Sequence, residues 1–208
     1  MKTMKRFLCM ILLMMPLFIS AQELAPILNN LRKAKAPADF VQVRNQLERL
    51  SLVTPDDWLA PYYLAYTDVE LSFRVSSKEE KIRYIDEAQT YLKRLSDMPN
   101  ADLSEVNTLK GYRIYALIAS DPQTNGPKYY NDVTVWYEKA LQINPNNPRA
   151  LLLSALFKND TAKFMNGSYD NFYQDIEKAV ILLSTEKAET SAPSWGKEWA
   201  DRALSNKN

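Results

Sequence analysis

The stretch WYEKALQINPNNPRA, residues 136–150, carries the clearest structural signal in this sequence. Asn144 and Pro145 end an apolar run, and Pro148 stands where a first helical turn tolerates proline, because its missing N–H would have no partner there. The apolar residues before the turn recur at the spacing of one helix face: Trp136, Tyr137, Ala140, Leu141 and Ile143. The stretch therefore predicts a helix, a tight turn and a second helix, a unit that cannot bury its own apolar face.

Similar junctions occur twice more in the chain, within residues 47–66 and 91–112. Their turn prolines, Pro55 and Pro99, are 44 residues apart (99 − 55), and Pro145 follows Pro99 by 46 (145 − 99). Only four glycines occur in 208 residues, which favours long helices over a glycine-consuming β-fold. We therefore predict an all-α stack of about four antiparallel helical pairs and a closing helix. The predicted ranges are 24–35 with 38–51, 56–74 with 78–97, 103–119 with 130–143, 148–158 with 169–184, and 195–205, with loops at 120–129, 159–168 and 185–194.

The N-terminus predicts export. A short basic segment containing Lys2, Lys5 and Arg6 precedes an apolar core of about 13 residues, and Ala21 precedes a polar chain, as in a secretory signal peptide. The core is shorter than the roughly 20 residues that a spanning helix needs, although an uncleaved anchor remains the alternative. We expect residues 1–21 to be the signal and residues 22–208 a single domain without a membrane span. The periplasm is the first expected location, and the cell surface or the medium is the alternative. Cys9 lies within the signal, so the mature chain has no cysteine.

Composition excludes several kinds of function. The chain has no histidine, so neither a Ser-His-Asp triad nor a Cys/His zinc site can form. Removing the signal leaves 23 basic residues (26 − 3) against 25 acidic ones, a net charge of −2, which gives no general attraction to nucleic acid. Asp121, Asn125 and Asp132 do not follow the alternating pattern of a calcium loop. We therefore expect no cofactor, no metal and no nucleic-acid partner. Acid–base chemistry by carboxylates alone stays possible.

The repeated unit resembles a tetratricopeptide repeat. Tyr137, Ala140 and Pro145 match that pattern in type and spacing, and the small residues that allow two helices to approach are expected at Ala65, Gly111 and Ala155. The segments DDWLAPYY, YEKALQINPNNPRA, DIEKAV and PSWGKEWA, behind a signal ending in SAQ, resemble exported tetratricopeptide-repeat proteins of Bacteroidota, a family without an assigned activity. This resemblance implies a right-handed solenoid and an envelope location. The spacing near 45 departs from the usual 34 and implies longer helices or insertions.

In such solenoids the first helix of each pair lines a concave groove. In this register Tyr62, Tyr66, Tyr112 and Tyr115 form a tyrosine ladder that could hold an extended peptide, since each ring buries area and each hydroxyl offers a hydrogen bond. Ordinary packing between helices is the alternative. Arg149 begins a groove helix and could bind a carboxylate, although plain solvent exposure is the stronger expectation for a single arginine.

The last predicted helix carries Trp195 and Trp199 on one face, which indicates either a cap over the open end of the stack or an aromatic binding patch, with the cap favoured. Asp160-Thr161-Ala162 resembles an acceptor motif for O-glycosylation of exported Bacteroidota proteins, with Thr161 as the attachment point. The leading functional hypothesis is a non-enzymatic module that binds a protein or peptide in the envelope. Two alternatives are a self-associating structural protein and, less favoured, a carboxylate-based enzyme acting on glycans.

Overall fold

The protein is described by a computed structural model over residues 23–186 and 192–206. Within those ranges it consists of nine helices and no strand, so the predicted all-α class is confirmed. The predicted signal peptide, residues 1–21 with Cys9, lies outside the described residues. Every helix within the two ranges is too short or too polar to cross a lipid bilayer.

The helices form four consecutive pairs and a short last helix. Their bounds are α1 23–33, α2 Pro37–Val53, α3 Leu59–Arg74, α4 Lys78–Ser96, α5 Leu103–Ser120, α6 Pro122–Ile143, α7 Pro148–Phe164, α8 Phe172–Thr185 and α9 Lys197–Ser205. Each of the three proline junctions lies between two helices, at the predicted places. The stack is solenoid-like, since consecutive helices from α2 to α9 pack together and α3 and α7 also pack on α5.

Polar side chains cap the N-termini of α4, α5, α6 and α7. Asn147 caps α7, where its side-chain oxygen accepts hydrogen bonds from the backbone N–H groups of Arg149 and Ala150, and Pro148 takes the first helical position. Its amide group donates to the hydroxyl of Ser104 on α5, so the cap also ties neighbouring pairs together. The turn in the opening stretch is therefore both a helix start and a joint between repeats.

Two predicted loops are partly helical. Residues 120–129 were expected to be irregular, but α6 begins at Pro122. Asp121 caps this helix by accepting from the N–H of Thr124, and a proline at the first position suits a helix start. Pro127 is the sixth residue of α6, and its ring removes one backbone N–H donor from the helix.

The second corrected loop is 159–168, because α7 continues to Phe164. The chain turns only after Met165, with Asn166 in the left-handed region at a φ of 58°. Thr161 therefore lies in the last turn of α7 and is half-buried. Its O-glycosylation stays a prediction, now placed on a helix rather than in a loop.

Small residues set the spacing between helices. Gly111 on α5 faces Tyr137 on α6, and a Cβ at this glycine would lie 2.5 Å from the ring carbon Cε1 of Tyr137. Ala65, Ala140 and Ala155 are also buried. A single apolar core runs from α1 to α7, and a second one joins α7, α8 and α9. The close approach of α5 and α6 thus depends on the absence of a side chain at residue 111.

Candidate functional site

The first half of the tyrosine ladder contacts the protein's own C-terminal segment. Tyr62 is fully buried; its hydroxyl donates to Glu105 at 2.7 Å and accepts from the indole N–H of Trp195 at 2.9 Å. Tyr66 stacks on Trp195 with 4.7 Å between ring centroids. Burial raises the pKa of Tyr62 well above its ordinary value, so the hydroxyl keeps its proton. Tyr62 is therefore not free to bind a partner, and the face of Tyr66 that stacks on Trp195 is covered, which corrects the hypothesis of a peptide groove along these two tyrosines.

The second half of the ladder reaches an open surface. Tyr112 is buried and donates to Glu70 at 2.5 Å, while Phe73 stacks on its ring at 5.6 Å. Tyr115 is half-buried, and its hydroxyl donates to the carboxylate of Asp160 on α7. These contacts hold both rings in fixed orientations on the inner face of α3 and α5.

A cavity of about 710 Å³ opens beside these rings, between α3, α5, α7, α8 and α9. Pockets of about 300–1,000 Å³ with aromatic walls and a few polar groups are the usual sites of small ligands. The aromatic lining consists of Phe73, Tyr112, Tyr115, Tyr169, Phe172, Tyr173 and Trp199, and the charged lining of Glu70, Arg74, Asp160, Lys163 and Arg202. The cavity can therefore accept a flat apolar ring system and, at its edge, charged groups.

The charges of the cavity are only partly neutralised within the protein. Arg74 pairs with Glu70 at 2.7 Å, and Asp160 accepts from Tyr115. Lys163 and Arg202 have no carboxylate partner among the described residues. Burial raises the pKa of Glu70, an effect that Arg74 and the Tyr112 hydroxyl oppose. Two cations are thus available at the rim for an acidic group on a ligand.

Arg149 has a different role from the one predicted. Its side chain is only 2% exposed and binds Glu186 through both terminal nitrogens, at 2.9 Å, with Glu105 at 3.3 Å and the carbonyl of Pro193 at 2.5 Å. Both the exposed surface role and the groove role are therefore wrong for this residue. Glu105 and Glu186 converge on one small cavity, but the guanidinium lies between them and neutralises them, so they make a poor catalytic pair.

The C-terminal tryptophans contact more of the molecule than a cap requires. Helix α9 packs on α8, and Ala200 and Ala203 join the core of α7 and α8, at the place predicted for a capping helix. Trp195 is buried on the tyrosines of α3, while Trp199 is half-buried and lines the cavity. Helix α9 thus packs on the last helical pair, while the two tryptophans contact Tyr66 and Tyr112 on the inner helices α3 and α5 and form one wall of the candidate site. The capping role of the tryptophans stays a prediction.

Several site residues were not predicted from the sequence. Glu70 and Arg74 share a helix with the ladder, one and two turns after Tyr66, and this spacing was a usable signal. Tyr173 lies in the first turn of α8, and Tyr169 lies in the connection just before this helix. Within the described ranges no three His, Cys, Asp or Glu residues form a group that could hold a metal ion.

The fold is similar to one solved structure, the HusA haemophore from Porphyromonas gingivalis. The two chains are 26% identical, the TM-score is 0.75, and the match covers 89% of each chain. No protein-family model and no curated protein matches this sequence. The fold belongs to the all-α class, and the likeness to a haemophore indicates a binding protein. The likeness does not confirm a tetratricopeptide repeat.

Proposed function

We propose that this protein is a non-enzymatic carrier of the bacterial cell envelope that binds a porphyrin in the larger cavity. The observation that carries the proposal is the cavity itself, with aromatic walls and two cations, Lys163 and Arg202, without a carboxylate partner in the described chain. A porphyrin is a flat ring system with carboxylate side groups. The likeness to a structure described as a haemophore supports the same ligand class.

The contacts available to such a ligand are stacking and ion pairing. Phe73 is 41% exposed and Tyr115 and Trp199 are half-buried, so parts of these rings remain free to contact the ligand. Aromatic pairs contribute about 0.5–1.5 kcal/mol each beyond their buried area. Lys163 and Arg202 would bind the carboxylates at the rim, where the ions are only partly desolvated. Several such contacts together suffice for micromolar binding or tighter.

The hypothesis of a peptide partner loses its main support. The tyrosines that were expected to hold a peptide are covered at Tyr62 and Tyr66 by the segment that contains Trp195. A peptide could use them only after that segment had left, at the cost of its stacking and hydrogen bonds. A small ligand needs no such rearrangement, because the cavity beside Tyr115 is already open. Export to the periplasm stays part of the proposal and rests on residues 1–21.

The proposal is tested by titrating mature protein, residues 22–208, with metal-free protoporphyrin IX, followed by porphyrin fluorescence. The metal-free ring isolates stacking and ion pairing from metal coordination. We expect saturable binding in the micromolar range or tighter. Lys163→Glu should weaken the larger-cavity site about tenfold, which is about 1.4 kcal/mol.

The matched control is Lys93→Glu, an equal charge reversal on an exposed residue of α4 that lines neither this cavity nor the smaller ones. It should leave the affinity within twofold of the wild type. Absence of saturable binding, or equal weakening in both variants, would show that the larger cavity is not a porphyrin site.

A further inference from the structure

A second cavity lies on another side of α9. It encloses about 510 Å³ between α1, α3 and the C-terminal segment. Its apolar walls come from Leu28, Leu31, Phe40, Tyr63, Tyr66, Trp195 and Trp199. The size is within the range of small-ligand pockets, and the walls again combine aromatic rings with aliphatic side chains. This cavity therefore has the shape and apolar character of a ligand site in its own right.

The rim of the second cavity is basic. Five basic residues line it, Arg32, Lys35, Arg74, Lys197 and Arg202, against three acidic ones, Glu70, Glu198 and Asp201. Two of the cations are paired inside the protein, Arg74 with Glu70 and Lys197 with Asp201 at 2.7 Å. The excess of positive charge favours a ligand with acidic groups.

The three remaining cations have no carboxylate partner within the described ranges. Arg32 donates only to neutral oxygens, those of Asn29 at 2.7 Å and Ser194 at 3.3 Å. No ion pair occupies the amine of Lys35 or the guanidinium of Arg202. Arg32 and Lys35 belong to this cavity alone, whereas Arg202 also lines the larger one. The second site thus has two cations of its own.

The two cavities have a common wall. Glu70, Arg74, Trp199 and Arg202 line both of them. Arg74 and Glu70 form an ion pair, and the Glu70 carboxylate also accepts a hydrogen bond from the Tyr112 hydroxyl. These contacts fix part of the common wall. Ligands in the two cavities would therefore lie close together, separated by the Trp199 side chain and the Arg74–Glu70 pair.

We propose that the second cavity is a separate binding site for the same chemical class, a flat aromatic acid, so that one protein molecule holds two ligands. This inference rests on the proposed function and adds a second site and a stoichiometry of two. Tyr63, Phe40 and Trp195 form its apolar floor, and Arg32 and Lys35 bind the acidic groups of its ligand. Lys163 lines only the larger cavity and would bind the ligand there.

The test is a stoichiometric titration of residues 22–208 with metal-free protoporphyrin IX at protein concentrations well above the dissociation constant. We expect two equivalents per chain. Two porphyrins held on one common wall should also couple their Soret transitions and give paired positive and negative circular dichroism bands. One equivalent and a single band are expected for Arg32→Glu/Lys35→Glu and for Ala34→Trp, which fills the second cavity with a bulky ring.

The matched control is Lys33→Glu/Lys93→Glu, with the same change in charge on exposed residues that line neither cavity. It should keep two equivalents. A wild-type stoichiometry of one, with that site weakened by Lys163→Glu, overturns the second site and leaves the proposed function intact. Two equivalents in both second-cavity variants also overturn it. No binding by the wild type overturns both proposals.

Discussion

Replacing Arg149 should destabilise the fold rather than weaken ligand binding. The guanidinium is 2% exposed and lies between Glu105 and Glu186, with one nitrogen on the carbonyl of Pro193. In Arg149→Met the apolar volume is largely kept, but Glu105, itself nearly fully buried, loses its cation. Breaking a buried pair by removing one partner costs about 3–5 kcal/mol. That is a large share of the roughly 5–15 kcal/mol that holds a typical domain folded.

The double variant Arg149→Met/Glu105→Gln separates the lost attraction from the stranded charge. Glu105→Gln removes the carboxylate that would otherwise remain buried without its cation, and its amide can still bond to the hydroxyl of Tyr62. We expect the double variant to recover about 1–3 kcal/mol of the loss, because an apolar replacement of a whole buried pair is often nearly neutral. Glu186 is partly exposed and can be solvated after the change.

The assay is urea denaturation of wild type, Arg149→Met, Glu105→Gln and the double variant, followed by far-ultraviolet circular dichroism. The coupling energy comes from the cycle of four free energies of unfolding. A loss below about 1 kcal/mol in Arg149→Met is what an exposed ion pair would give. Such a small loss, together with a lower porphyrin affinity, would refute the structural role and restore Arg149 as a surface binding residue.

Three further outcomes follow from packing and burial. Gly111→Ala should lower the free energy of unfolding, measured by urea denaturation, by about 1–3 kcal/mol. The reason is that the new Cβ would lie 2.5 Å from the ring of Tyr137, which is itself buried. An unchanged free energy of unfolding would contradict the close approach of α5 and α6. Trp195→Ala should cost about 3–5 kcal/mol, since the ring is buried, and a change under 1 kcal/mol would argue against its place on the tyrosines. Burial raises the pKa of Asp68 from 3.8 to about 7 although Arg44 opposes it, so the folded protein binds this proton more tightly than the unfolded chain. The free energy of unfolding should therefore fall as the pH rises between these two values, by at most about 1.4 kcal/mol per pH unit from this group. Asp68→Asn should make this pH dependence weaker. An unchanged pH dependence in the variant would contradict the raised pKa of Asp68.

The helices and their turns were predictable because their signals are local. Pro145 and Pro148 mark an end and a start, and the apolar spacing before them specifies the buried face. Gly111 was predicted as a point where two helices approach closely. It contacts Tyr137, which belongs to the same helical pair. In contrast, residues 120–129 were predicted to be a loop, but α6 begins within them, with Asp121 as its cap and Pro122 at its first position. The residues typical of a loop and the residues typical of a helix start occur there together, and the segment forms a helix.

The site was only half predictable, because it depends on contacts between distant parts of the chain. Trp195 lies 133 residues after Tyr62, to which its indole N–H donates. Nothing near Arg149 in the sequence indicates Glu105, 44 residues earlier, so a lone arginine looked exposed. Tyr115, predicted as a residue of a peptide groove, lines the larger cavity, and its role in binding stays a prediction. The segment that packs on Tyr66 is visible only in the folded chain.

The proposed carrier function is tested most simply by locating the ligand. Nuclear Overhauser effects would be measured between metal-free protoporphyrin IX and the aromatic protons of residues 22–208 at one equivalent of ligand. The account predicts contacts from the porphyrin to Phe73, Tyr115 or Tyr169 in the larger cavity, or to Phe40 and Tyr63 in the smaller one. Contacts confined to the outer helices α4 and α6, or no contacts with a porphyrin that binds saturably, would contradict it.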